Sequence, residues 1–90
     1  MTRKEIVTRV IDGDTFETAS RKNPVRLANV NAPEKGKRGS VKATRALQQL
    51  IKGETVSIQT VARDKYGRSV ANVKVHNRSV NAALRCQGYK

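Results

Sequence analysis

Val25–Gly53, VRLANVNAPEKGKRGSVKATRALQQLIKG, contains the change of structural period on which the fold turns. Val25 to Val30 reads as a β-strand, and Asn31-Ala32-Pro33 ends it because Pro33 has no N–H to give to a ladder. Lys35 to Gly39 is a basic, glycine-containing loop. Ser40 is then a candidate N-cap for a helix whose apolar stripe includes Val41, Leu47, Leu50 and Ile51, and Gly53 stops it. The pattern predicts a helix over about Ser40 to Lys52.

Toward the N-terminus, Ile6-Val7 and Val10-Ile11 lie in a β-branched run ending at Asp12-Gly13-Asp14-Thr15, after which Phe16 to Thr18 can return as a second strand. Asn23-Pro24 marks the polar loop before the third strand. Toward the C-terminus, Val56, Ile58 and Thr60 alternate with polar neighbours, as do Ala71, Val73 and Val75, on either side of the turn Asp64-Lys65-Tyr66-Gly67. Ser79 opens a short second helix with Val80, Ala83 and Leu84 on one face and Gly88 at its end. The order of elements predicts a mainly β chain with two helices. It suits an OB-fold, a five-stranded antiparallel barrel with one helix between strands three and four and another at the C-terminus. An open α+β sheet is the alternative.

Ninety residues make one domain, residues 1–90, with a core small enough for a single closed barrel. No run approaches the roughly 18 apolar residues that span a bilayer, so no membrane association is expected. Nineteen Lys and Arg against seven Asp and Glu give a formal charge of +12, which attracts polyanions. DNA or RNA, bound through phosphate, is the leading partner, and a monomer is expected. The basic residues are spread through the body of the chain, so a folded surface carries them. With Cys86 the only cysteine and His76 the only histidine, there is neither an internal disulfide nor a Cys–His spacing for zinc. Cys86 reads as a half-buried helix residue and His76 as a surface residue at a strand end. Met1 to Glu5 is basic without a secretory apolar stretch behind it. The expected compartment is outside the cytoplasm if a signal segment was removed, and cytoplasmic otherwise.

Three segments could carry chemistry. Asp12-Gly13-Asp14-Thr15 is, taken alone, ordinary turn chemistry. Arg26 stands between Val25 and Leu27, whose side chains take the opposite face of the strand, so its own points to solvent or to a bound anion. Glu34 stands at that strand's exit. Asp64-Lys65-Tyr66-Gly67-Arg68 adds a second guanidinium, and two converging on one phosphate would fix it and stabilise its developing charge.

DGDT, VRLANVNAPE and DKYGR, in that order with a helix between the second and third, resemble the staphylococcal nuclease-like family. The resemblance extends from about Ile6 to Gly88 and includes Val80 to Gly88, similar to that family's second helix. It implies an OB-fold and calcium-assisted hydrolysis of DNA or RNA, with magnesium or another divalent ion as a possible substitute, leaving a 3′-phosphate. Carried over by position, Asp14 matches a metal-ligating aspartate, Ala32 a backbone-carbonyl ligand, and Asp12 and Thr15 the residues bracing the turn. Arg26 and Arg68 match the arginines that grip the scissile phosphate. Glu34 matches the glutamate assigned to activate the attacking water, and Lys65 and Tyr66 match contacts to a neighbouring phosphate.

Asn31 occupies the position of the family's second metal-binding aspartate, and an amide oxygen there predicts a weaker cation site. Related nucleases continue into a further helix with base-stacking aromatics, for which only Tyr89 could stand in, so recognition through phosphate is expected. Two other readings are a non-catalytic OB-type nucleic-acid binder and a protein-interaction module.

Overall fold

The computed structural model describes residues 2–90. The first strand, β1 (Thr2–Asp12), places Glu5, Val7 and Val10 inside. Strict alternation from Val7 would bury Arg9 instead. A bulge between Val7 and Arg9 in the pairing with β2 (Thr15–Thr18) inserts the extra residue that turns Val10 inward.

Two more antiparallel pairings extend this hairpin, β2 with β3 (Val25–Leu27) and β1 with β4 (Thr55–Arg63). The next, β4 with β5 (Ser69–Val75), is also antiparallel. The ring closes where β3 lies parallel to β5, with Val25 opposite Ser69, Arg26 opposite Val70 and Leu27 opposite Ala71. The barrel is thus the five-stranded OB type, but its closing seam is parallel, where an all-antiparallel sheet was expected. A two-residue β6 (Arg78–Ser79), also absent from the sequence reading, folds back on β5. His76 and Asn77 form that turn with φ of 49° and 64°, the left-handed pair that suits a tight hairpin.

Phe16, Leu27, Leu47, Ile51, Ile58 and Leu84 are the largest fully buried side chains and fill the barrel and its helical cap. Helix α1 (Ser40–Ile51) lies between β3 and β4 as expected, but its details differ. Its buried stripe is Ser40, Ala43, Leu47 and Ile51, while Val41 is 64% exposed. Ser40 is the first helical residue and not the cap. Gly39, at φ 84°, takes the cap position without any side-chain bond.

The C-terminal helix α2 (Val80–Cys86) is capped by Ser79, whose hydroxyl accepts the Ala82 amide at 3.1 Å. Buried Asn81 pins this helix to the barrel. Its Nδ2 donates to the carbonyls of Ala28 (2.8 Å) and Ala71 (3.1 Å), and its Oδ1 accepts the Val73 amide at 2.8 Å. Cys86, at the last position of the helix, is exposed and not half-buried. Tyr89 is partly buried against the core, so only part of its ring is open to a base.

β3 stops at Leu27, three residues short of the expected end, although Ala28 and Val30 remain buried. The chain turns at Asn29, at φ 60°, and so leaves the sheet before Pro33 is reached.

Candidate active site

Gly13 and Asp14 link β1 to β2, and everything around them holds the Asp14 carboxylate in place. Asp12 Oδ1 accepts the Asp14 amide at 3.1 Å, the Thr15 hydroxyl donates to Asp14 Oδ1 at 2.9 Å, and the Ala32 amide donates to Asp14 Oδ2 at 3.2 Å. The Asp14 carbonyl accepts the Leu27 amide at 2.8 Å, which ties the turn to the end of β3. Gly13 is required here by close approach. A Cβ at that position would lie 2.6 Å from the Cβ atoms of both Ala32 and Ala43. The turn therefore sits directly under α1 and the segment leaving β3.

Arg26 projects into the same place. Its Nη1 donates to the Leu27 carbonyl at 2.9 Å, and its Nη2 donates to Asn31 Oδ1 at 3.0 Å and Asp14 Oδ2 at 3.3 Å. The guanidinium thus bridges an anionic and a neutral oxygen donor, while its side chain stays only 22% exposed. Glu34 is exposed on the loop that follows.

From the other side of the seam comes Arg68, in the β4–β5 turn. Its Nε donates to Asp64 Oδ2 at 2.6 Å, and Asp64 Oδ1 accepts the amides of Tyr66 (3.0 Å) and Arg68 (2.9 Å). Desolvation pushes the Asp64 carboxyl upward, but these bonds and the Arg68 charge outweigh it and leave its pKa below the ordinary value.

Asp12, Asp14, Arg26, Asn31, Ala32 and Glu34, with Arg68, line one open pocket of about 510 Å³. Lys35 also lines it, a residue the motif comparison did not single out although it adjoins Glu34. Thr15 lies buried below. Lys65 and Tyr66 are outside the pocket, on the neighbouring turn. There the Tyr66 ring is exposed, with Lys65 Nζ and Arg68 Cζ each 5.3 Å from its centroid. Burial and the adjacent Asp14 charge push the Asp12 carboxyl above its usual pKa.

Among the described residues, no group of three or more His, Cys, Asp or Glu side chains is gathered as a metal cluster. The pocket instead offers oxygen donors of mixed type: the carboxylates of Asp14, Asp12 and Glu34, the Asn31 amide and the Ala32 backbone. Hard oxygens suit calcium or magnesium, and a low carboxylate count implies weak binding. Arg26 already engages two of these oxygens, so a cation would compete with its guanidinium for them.

The closed OB-type barrel thus carries Arg26, Arg68 and several carboxylates in one pocket, and guanidinium groups are the side chains best shaped to grip a phosphate. The family model described as "Staphylococcal nuclease homologue" matches residues 24–90, and the chain belongs to that family. The match takes in Arg26, Glu34 and Arg68 and begins after the β1–β2 turn. An "Uncharacterized endonuclease" of Escherichia coli O157:H7 is 39% identical over 69 residues, covering 74% of this chain and 45% of that protein. "Protein ParB" of Escherichia coli is 36% identical over 93 residues, covering 91% of this chain and 52% of that protein. A "Micrococcal nuclease" of Shigella flexneri is 33% identical over 69 residues, covering 74% and 40% respectively. The chain spans about half the length of the curated relatives it matches.

Proposed function

We propose that this chain is a single nuclease domain, residues 1–90, that hydrolyses phosphodiester bonds of DNA or RNA with help from a divalent cation. The observation that supports this most is that Asp14, Arg26, Glu34 and Arg68, drawn from four separate segments, line one pocket. In this reading Arg26 and Arg68 hold the scissile phosphate and neutralise charge as it builds on the phosphorus oxygens. Glu34 accepts a proton from the attacking water, and its exposure leaves room for that water. Asp14, the Asn31 amide and the Ala32 carbonyl would hold calcium, or magnesium in its place. The cation would supply Lewis-acid polarisation of the phosphate. Asp12 and Thr15 brace Asp14 through the bonds described. Lys65 and Tyr66 take a neighbouring phosphate on the β4–β5 turn. In-line attack with departure of the 5′-oxygen leaves a 3′-phosphate.

The names of the E. coli O157:H7 and S. flexneri relatives agree with a nuclease. Digestion of plasmid DNA and of RNA with calcium, with magnesium and with chelator tests the proposal, followed by analysis of the product ends. Cation-dependent cleavage leaving 3′-phosphates is the expected result. Cleavage that persists in chelator would overturn the cation assignment.

The bond from Arg26 to Asn31 and Asp14 favours one rival reading. If the guanidinium holds these oxygens permanently, the chain is an OB-type binder of nucleic acid without turnover. Tight binding with no cleavage at any cation concentration would establish that reading.

A further inference from the structure

Beside the pocket, and sharing Lys35 with it, runs a second concavity of about 580 Å³ between the loop after β3 and the outer face of α1. Lys37 and Arg45 line it, both exposed, and no carboxylate does. Its apolar part is formed by Val41, 64% exposed, and the half-buried Ile11. Val41 and Arg45 also border a third hollow along α1, lined by Lys42 and Gln49 and again without an acidic residue. Val41 at this position serves no packing role, since the helix buries Ala43 and Leu47 instead. A 12-residue helix would normally solvate that face with mixed charge, yet α1 contains no acidic residue at all.

We propose that this groove is a binding track for single-stranded DNA or RNA, which takes the nucleotides on one side of the phosphate held in the pocket. The proposal rests on the phosphate-pocket reading and extends it. Lys35, Lys37 and Arg45 meet successive phosphates, and Val41 with Ile11 offers an apolar face to a base. A strand is the occupant because Lys35 lines both the pocket and the groove, which joins the groove's cations to a site read as holding phosphate. The field of a chain at +12 favours a polyanion. The track follows α1, whereas Lys65 and Tyr66 lie on the β4–β5 turn, so its lining is separate from theirs.

The test is the salt dependence of binding to a fluorescein-labelled single-stranded 12-mer, measured by anisotropy in chelator so that no cleavage occurs. Each phosphate contact on a single strand contributes about 0.7 to the slope of log K against log salt. The double variant Lys37→Gln/Arg45→Gln should therefore lower the slope by about 1.4. The charge-matched Lys4→Gln/Lys74→Gln, near the β1–β4–β5 surface, should lower it by much less. With calcium present, the groove variant should raise KM for the 12-mer several-fold and leave turnover of a dinucleotide unchanged. Equal slope losses in the two double variants would overturn the track. So would equal competition for the wild-type site by polyglutamate, which would indicate an acidic protein partner. The anisotropy readout stands even if the wild type cleaves nothing, so failure of the track and failure of the nuclease reading are told apart.

Discussion

Restoring a carboxylate at position 31 tests how the pocket divides its oxygens between Arg26 and a cation. Asn31 is exposed, so the relevant Coulomb scale is close to that of water, about 1 kcal/mol for two unit charges 4 Å apart. A divalent ion doubles that to about 2 kcal/mol. Arg26 works against the gain. Its Nη2 lies 3.0 Å from Asn31 Oδ1, so an aspartate there would form an ion pair with it, worth up to about 1 kcal/mol for a partly exposed pair. A cation must displace that pair. The net expectation for Asn31→Asp is about 1–2 kcal/mol, or roughly 5–30-fold tighter calcium binding. Isothermal titration calorimetry with calcium, on protein checked by circular dichroism, reads this directly. Unchanged or weaker affinity would refute the reasoning, and a higher melting temperature in chelator would then show that the new carboxylate had simply joined Arg26.

Other consequences can be measured with ordinary assays. Gly13→Ala forces a methyl to 2.6 Å from Ala32 and Ala43, an overpacking of about 1–3 kcal/mol that should lower the melting temperature by roughly 5–20 °C. Arg68→Ala and Glu34→Gln should each reduce turnover by about 10²-fold or more while leaving the circular dichroism spectrum intact; unchanged activity in either removes that residue from the mechanism. Glu5 predicts the acid limb of stability. Burial raises the pKa of its carboxyl, but hydrogen bonds from Thr18, Ser20 and Arg21 outweigh that and lower it. The folded state then binds protons less readily than the unfolded state, so this stability is present above the unfolded carboxyl pKa and is lost as pH falls through the folded one. Melting curves from pH 6 to pH 3 should decline, and Arg21→Met, which leaves a buried carboxylate unpaired, should cost about 3 kcal/mol or more at neutral pH.

Local periodicity made the order of elements legible, because alternating Val56, Ile58 and Thr60, and the Ser40 to Gly53 run, each carry their own signal. What it could not reveal is anything decided by partners distant in sequence. The bulge that turns Val10 inward is a property of the β1–β2 pair, and burial of Ala43 in place of Val41 depends on which side of α1 meets Gly13. Nothing in the local pattern marks Asn81 as structural. It is the link between α2, Ala28 and the β5 backbone, a role visible only once those carbonyls are brought together. Gly13 was read as a turn former, but its backbone does not take the left-handed conformation, and the reason for glycine there is steric. At the pocket, residue types were readable from motifs. The direct bonding of Arg26 to Asn31 was not, because Arg26 had been assigned to phosphate alone.

The parallel seam explains why the pocket and the barrel form together. Arg26 sits at the middle of a three-residue strand opposite Val70, and Arg68 lies just before β5 begins at Ser69. Residues 42 positions apart in the chain therefore become neighbours only when β3 and β5 pair. The same end of β3 donates the Leu27 amide to the Asp14 carbonyl, so the acidic turn is locked to the seam as well. Ala28, one residue further, donates to Ala71 at 2.8 Å and accepts from Asn81 at 2.8 Å, which fastens α2 over the closure. A short strand would be a weak edge in an open sheet. Here it is held from three directions, and two of those fastenings, the pairing with β5 and the bond to Asp14, also set the position of charged groups lining the pocket.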